Sequence, residues 1–324
     1  MTTDVAIIGL GSIGMGYDLE TDNPDVVYSH CRAFAIHPAY NIVAGVDVDE
    51  GNRRRFSRAY GRPAFAEVGD MLRNNRPQLV VIAVPTVQHH RVLAEVVALA
   101  KPSVVLCEKP LSYDPGQARA MVRLCAEHGI ALFVNYMRRA TPGVIEVRRR
   151  LDAGLIAGPL RGVAWYSKGF LHNGSHFFNL LEYWLGVPRG AQMLDPGVRG
   201  DGPDSDCEVR VDFARGSVVF LPVGSEEYGH HSIELMCRNG RLRYERAGQR
   251  IRWEGVVADE RFAGHKALAA PAEVIESGLE RYQWHVADQL AAFAAGAAPS
   301  LCTGQEALAT LEIMTEFAAK EIKG

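Results

Sequence analysis

The stretch Val5-Ala6-Ile7-Ile8-Gly9-Leu10-Gly11-Ser12-Ile13-Gly14 decides how the rest of the chain reads. Its first half is apolar and rich in β-branched residues, with no polar alternation. That pattern suits a strand buried on both faces of a parallel sheet. Its second half is Gly-x-Gly-x-x-Gly, set directly behind the strand. In this context Gly9, Gly11 and Gly14 predict a tight turn, and Ser12 and Ile13 a helix start whose free N–H groups hold a pyrophosphate. The string alone is a weak signal in a chain with 32 glycines, so a second test is needed. Asp47 supplies it, closing the next strand pattern in Val46-Asp47-Val48-Asp49.

A carboxylate at that point accepts hydrogen bonds from both ribose hydroxyls of NAD and repels the 2′-phosphate of NADP. NAD is therefore the expected cofactor and NADP the less favoured one. Arg53, Arg54 and Arg55 soften the repulsion but fall on the following helix, where a solvated face is the default. The spacing is long: Asp47 lies 33 residues beyond Gly14, where ~20 is common. The surplus matches Met15 to Val27, with a fresh helix start at Ser29. This insert carries Asp18, Glu20, Asp22 and Asp25 and no Lys or Arg. It reads either as a lid beside the cofactor or as a solvated surface loop.

Further strands are predicted over 41–46, 79–84, 104–107 and 131–134, with helices over 87–100 and 115–128 between them. Asp114 is the expected N-cap of the latter helix and Gly129 its stop. Alternating strand and helix give a doubly wound α/β Rossmann domain over residues 1–134. The remainder, 135–324, changes character. A helix over 142–153 precedes alternating stretches over 162–168, 207–213, 217–223, 232–237 and 241–244, the last two joined by an Asn239-Gly240 hairpin signal. An apolar helix over 177–185 interrupts them, and amphipathic helices over 278–294 and 304–322 close the chain. An α+β domain with an open, mostly antiparallel sheet follows, with the option that the last helix packs back on the first domain.

Composition bounds the partners. A length of 324 residues suits two domains, and 48% hydrophobic with 23% charged residues excludes a disordered or collagen-like chain. A net charge of −3 argues against nucleic acid as partner. No apolar run approaches the ~18 residues of a bilayer span, so no membrane is expected. A first strand starting at Val5 leaves no room for a signal peptide, and six scattered cysteines without a Cys-x-x-Cys pair read as reduced. The cytoplasm is the expected compartment.

Cys107-Glu108-Lys109-Pro110 follows the fifth strand. A Glu-Lys-Pro there, behind the glycine motif, resembles the Gfo/Idh/MocA family of sugar and inositol oxidoreductases. Val84-Pro85-Thr86-Val87-Gln88-His89 is similar to its Thr-Pro-x-x-x-His segment, with Val84 in place of Thr. Tyr136-Met137-Arg138-Arg139-Ala140-Thr141-Pro142 resembles its Tyr-x-Arg-Arg-x-x-Pro stretch, and Ala153 to Pro159 the turn leading into its second sheet. The resemblance implies cofactor contacts from Pro85, Thr86, His89 and Glu108, and substrate contacts from Tyr136 and Arg138. It also implies an open sheet that binds substrate and oligomerises, giving a homodimer or homotetramer. Lys109 would sit by the nicotinamide and the reacting hydroxyl, where an ammonium lowers the hydroxyl's pKa and steadies its oxygen as charge develops.

The family's other motif is Asp-x-Gly-x-His-x-x-Asp, and this chain has His172-Asn173-Gly174-Ser175-His176-Phe177-Phe178-Asn179. His176 is retained as an acid/base candidate. His172 and Asn179 replace the two carboxylates, so either His172 relays a proton or the chemistry has shifted. Two histidines four apart also invite a metal, but no third ligand stands in helical register, and the expectation is none. Alternation sends Tyr166 and Lys168 to one face, as binders of a sugar or an anion, or as plain sheet residues. Asn173 is a further substrate candidate, in a phrase similar to members acting on amino or nucleotide sugars of surface polysaccharides. The expected activity is hydride transfer between NAD and one carbon of a sugar, sugar acid or nucleotide-linked sugar. The alternatives are glycoside elimination or hydrolysis through transient redox, and a non-enzymatic NAD-bound sensor.

Overall fold

A computed structural model describes residues 2–197, 204–224 and 228–319, which form two compact units. The first comprises residues 1–140 and 280–311, the second 141–279 and 312–324.

The first unit is built on β1 (Thr3–Ile8), β2 (Tyr40–Val46), β3 (Ala64–Phe65), β4 (Leu79–Ile82), β5 (Val104–Cys107) and β6 (Ala131–Val134). They pair in parallel in the order β6-β5-β4-β1-β2-β3, and the short strand Cys302–Thr303 adds an antiparallel edge beside β6. The order in which strands are added reverses between β1 and β4 and opens a crevice at their carboxyl ends, the place where such sheets bind ligands. Val5 and Ile7 pack to one side with Phe34, Ile42 and Phe56, and Ala6 and Ile8 to the other with Val80, Ile82 and Leu93. Both-face burial explains why these strands lack polar alternation; each such side chain contributes about 1.5–3 kcal/mol. The helices are α1 (His30–Ile36), α2 (Glu50–Tyr60), α3 (Val68–Asn74), α4 (His89–Leu99) and α5 (Pro115–Glu127). Asp114 caps α5 by accepting the Gly116 N–H at 2.7 Å, and Gly129 takes a φ of 67°, as expected of a helix stop. The pair β3 and α3 carries no strong periodicity and has no counterpart in the sequence reading.

The glycine motif opens only one π-type turn, Ser12–Gly16, in place of the expected helix. The insert behind it is solvated at Glu20, Asp22 and Asp25, as one of the two readings expected, but is anchored at Asp18 and Val27. Asp18, 2% exposed, accepts the N–H groups of Tyr28 at 2.5 Å and Ser29 at 2.9 Å, and also the Ser29 hydroxyl. Arg32 reaches back to the carbonyls of Asp18, Thr21 and Asn23. Val27 is buried, and its N–H and carbonyl meet Glu280 and Gln283 at the start of the returning segment. Tyr28 stacks on Tyr282 with ring centroids 5.3 Å apart.

In the second unit, α6 (Pro142–Asp152) and α7 (Ser175–Leu185) share a core with one face of a nine-stranded sheet. Its strands are β7 (Leu160–Tyr166), β8 (Pro188–Asp195), β9 (Glu208–Phe213), β10 (Gly216–Pro222), β11 (Ser232–Cys237), β12 (Gly240–Glu245), β13 (Arg250–Ala258), β14 (Lys266–Leu268) and β15 (Glu273–Ile275). All pairs are antiparallel except β7 with β10. The β11–β12 hairpin turns one residue earlier than expected: Cys237 pairs with Gly240, leaving Arg238-Asn239 as the loop. Asn239 is held by its side chain, which meets the Ala157 N–H and the Leu155 carbonyl. Gly240 is required by crowding, since a Cβ there would stand 2.4 Å from the Glu254 carbonyl oxygen. The other sheet face leaves Trp165, Met236 and Val256 exposed beside Arg241 and Arg243, both paired with Glu254.

Returning to the first unit, residues 280–311 supply α8 (Tyr282–Ala294) and the start of α9 (Gly304–Ala319). The expected helix over 278–294 opens on a 3-10 turn at Leu279–Arg281, and the α-helix begins at Tyr282. No helix among the described residues is long and apolar enough to cross a membrane.

Candidate functional site

The glycines divide their labour as the turn demands. Gly9 has φ +97°, and a Cβ there would stand 2.5 Å from the Ala83 carbonyl group. A Cβ on Gly14 would stand 2.0 Å from the Gly9 oxygen, so both are needed for packing. Gly11 differs: nothing lies within 4 Å of where its Cβ would be. That open space adjoins exposed Ser12 and half-buried Ile13, at the start of a turn whose first N–H groups have no carbonyl behind them. A missing Cβ facing a crevice fits a pyrophosphate that must approach the backbone closely.

The crevice runs from this turn between the ends of β2 and β4. Its walls include Gly9, Gly11, Asp47, Val84, Pro85 and Arg91, around about 640 Å³ of open space. Asp47 is half-buried; Oδ2 accepts the Leu10 N–H at 2.8 Å and Oδ1 the Asp49 N–H at 2.8 Å. Arg53 holds the carbonyls of Asp47 and Val48, both at 2.8 Å, so this arginine stays at the ribose end. Arg54 and Arg55 turn to Glu50 and Asn52 on their own helix. Thr86 opens a 3-10 turn into α4.

His89 is not a crevice residue. It is fully buried, with Nε2 2.9 Å from the Val84 oxygen and Nδ1 3.1 and 3.2 Å from those of Pro110 and Leu111. Burial pushes its pKa down, against the pull of those carbonyls and of Glu108. It ties the end of β4 to the Lys109-Pro110 segment, which corrects the expected cofactor contact to a positioning role.

Glu108, behind β5, is held by three donors. Oε1 accepts from His30 Nε2 at 2.8 Å and Asn135 Nδ2 at 2.6 Å, and Oε2 faces the Lys109 N–H at 3.3 Å. Burial raises its pKa, but the bonds from His30 and Asn135 and the charge of Lys109 outweigh it, leaving the carboxyl below its usual range. Lys109 follows directly, joined to Pro110 by a cis peptide bond. His30 had no place in the sequence reading, because its contact with Glu108 spans 78 residues. Tyr136 is buried at 4% exposure in the apolar layer beneath β6, while Arg138 is half-buried on the turn Met137–Ala140.

In the second unit, His172 and Asn173 lie on a π-type turn, Gly169–Gly174, that runs into α7 with His176 in its first turn. His172 is exposed, His176 half-buried, and Asn179 buried. Asn173 turns inward and donates to the Ser167 carbonyl at 3.0 Å. A carboxylate stands beside His172 after all: Asp204 accepts the N–H groups of Leu171 and His172, each at 2.8 Å. Burial raises the Asp204 pKa despite those bonds and the charge of His172. Tyr166 and Lys168 do not share a face. Tyr166 is fully buried, its hydroxyl donating to the Cys207 carbonyl at 2.6 Å, whereas Lys168 lies past the strand end, exposed, with φ 63°. The left-handed residue breaks the alternation on which the pairing rested. Among the described residues no three His, Cys, Asp or Glu side chains gather to hold a metal.

A doubly wound parallel sheet, a glycine turn with one open glycine and an acid closing β2 define the first unit as a dinucleotide-binding Rossmann domain. Residues 3–136 match the family described as "Oxidoreductase family, NAD-binding Rossmann fold". This stretch, within the first unit, is similar to the Gfo/Idh/MocA family. Inositol 2-dehydrogenase of Rubrobacter xylanophilus is 29% identical over 239 residues, covering 74% of this chain and 62% of that one. Inositol 2-dehydrogenase of Mycolicibacterium smegmatis is 42% identical over 159 residues, covering 48% of this chain and 42% of that one. The chain thus spans less than two thirds of the length of these relatives. The WlbA dehydrogenase of Bordetella pertussis, solved with NADH and UDP-GlcNAcA, superposes with a TM-score of 0.77 over 99% of this chain and 96% of that one. At 18% identity this shows a shared fold.

Proposed function

We propose that this protein transfers a hydride between NAD and a CH–OH carbon of a sugar, sugar acid or nucleotide-linked sugar, with inositol-like polyols first among the candidates. The observation that carries the reading is Lys109, whose backbone is pinned beside the buried carboxylate of Glu108 at the carboxyl end of β5. A cation fixed at that end of a dinucleotide-binding sheet is suited to hold a reacting oxygen. The names of the inositol dehydrogenase relatives support the substrate class.

Gly11, the N–H groups of Ser12 and Ile13, and Asp47 would hold the dinucleotide, which supplies the hydride acceptor when bound. Lys109 polarises the substrate oxygen, and His176 takes or returns its proton. His172 orients that exchange, with Asp204 fixing the turn that carries it. Asp47 favours NAD over NADP. The exposed apolar residues Trp165, Met236 and Val256 support assembly into a homodimer or homotetramer, and the cytoplasm is the proposed compartment.

A screen of inositols, sugars, sugar acids and nucleotide sugars with NAD, followed at the NADH absorbance, tests the reading. Lys109→Ala is expected to lower turnover by ~10²-fold or more with NAD affinity little changed. Near-normal turnover in that variant would make Lys109 structural. Glycoside cleavage without accumulated NADH would instead favour the transient-redox reaction.

A further inference from the structure

The acidic insert and His30 are the features that the proposed reaction leaves unused, and they are connected. Asp18 fixes the backbone of Tyr28 and Ser29, Ser29 caps α1, and His30 is the first residue of that helix. The insert is thus a brace that ends in an imidazole, and the imidazole is aimed at Glu108.

We propose that His30 is a positioning residue for Lys109, acting through the carboxylate of Glu108. The inference rests on the reading of Lys109 given above and extends it to a residue that never touches substrate. His30 is 1% exposed, and its Nε2 lies 2.8 Å from Glu108 Oε1. Its Nδ1 is buried with no hydrogen-bond partner among the described residues, and Nε2 also lies 3.5 Å from Gln283 Nε2 on α8. Five elements bring groups to Glu108: Cys107 and Lys109 flank it, His30 comes from α1, His89 from α4, Asn135 from the end of β6, and Tyr282 from α8. Burial disfavours charge on His89, Cys107 and Tyr282, and the Glu108 carboxylate is stabilised first by His30 and Asn135 and then by the Lys109 cation. A buried carboxylate stays ionised only while donors satisfy it. Remove the His30 donor, and Glu108 takes up a proton or turns away; either change withdraws negative charge from Lys109 and destabilises its ammonium.

The test reads Lys109 itself in the cofactor-free protein. The chain has only six lysines, at 101, 109, 168, 266, 320 and 323, so ¹³C-dimethylated side chains can be assigned by single Lys→Arg changes and titrated by NMR. In His30→Leu and in Glu108→Gln the Lys109 midpoint is expected to fall by about half a pH unit or more, while the remaining lysines titrate as before. His30→Gln, whose amide N–H reaches as far as Nε2, should restore the original midpoint, and the shorter His30→Asn should not. An unchanged Lys109 midpoint in the His30→Leu variant would overturn the proposal. If the leucine change prevents folding, identical Lys109 titrations in His30→Gln and His30→Asn would overturn it equally. Because no substrate enters this measurement, its failure is distinct from a failure of the proposed reaction, which the NADH screen reports.

Discussion

The Leu10 N–H donates to Oδ2 of Asp47 at 2.8 Å across 37 residues, so the acid that closes β2 also clamps the glycine turn. NAD is expected to bind at least tenfold more tightly than NADP, because setting a carboxylate against a 2′-phosphate should cost at least ~1.4 kcal/mol. Asp47→Asn keeps an oxygen for Leu10 while removing the charge, and should bring the ratio below tenfold. Calorimetric titration of both cofactors decides this. Equal affinities in the unmodified protein would refute it and shift discrimination to Arg53.

Gly11 and Gly14 separate cofactor binding from folding. Gly11→Ala places a methyl in open space, so the melting temperature should change by no more than ~2 °C, while NAD affinity falls about tenfold or more. Gly14→Ala drives a methyl onto the Gly9 carbonyl and should cost at least ~1–3 kcal/mol of stability. Equal destabilisation by both would show that Gly11 serves packing.

His176→Ala is expected to abolish most turnover. His172→Asp, which introduces the residue typical of the family that the motif resembles, should retain measurable activity, and chelators should have no effect. Full activity in His176→Ala would remove the proposed base. Reversible inactivation by a chelator would bring a metal into the mechanism.

The Arg139–Glu306 pair predicts a pH dependence of stability. Arg139 is 4% exposed and lies 2.9 Å from Glu306, whose other oxygen accepts the Thr303 N–H. Burial raises the Glu306 pKa, but Arg139 and Thr303 more than offset it, so the folded value lies below the usual 4.5. A depressed acid stabilises the fold above its unfolded pKa, and that contribution fades as pH falls through the folded value. Glu306→Gln should therefore lose about 1 kcal/mol or more near pH 7, a modest figure because Glu306 is half exposed. The deficit should shrink below about pH 4. Urea midpoints at pH 7 and pH 3.5 measure it; a constant deficit would rule the linkage out.

The glycine turn and the acid that closes β2 were legible because their signals are local. Gly9, Gly11 and Gly14 sit within one turn, and Asp47 ends a strand whose neighbours are all apolar. What escaped depends on distant pairs. His30 meets Glu108 across 78 residues and Asp204 meets His172 across 32, and no periodicity links either pair. Tyr166 was misread for a different reason: alternation fails at Lys168, where a left-handed backbone ends the strand. The length of the insert was visible, but its attachment was not, since Val27 is held by residues more than 250 positions later.

That late attachment bears on how the protein is made. Emerging from a ribosome, the first 140 residues hold every parallel strand of the cofactor sheet yet lack Val286, Leu290 and Leu301, which complete one of its apolar layers. Translation must run through residues 141–279 before those side chains arrive, a delay of roughly ten seconds at ~5–20 residues per second. Throughout that interval one apolar layer of the nascent sheet is incomplete, and β6 lacks its Cys302–Thr303 neighbour. The cofactor unit is thus begun first but completed only after residues 141–279 of the second unit have been made.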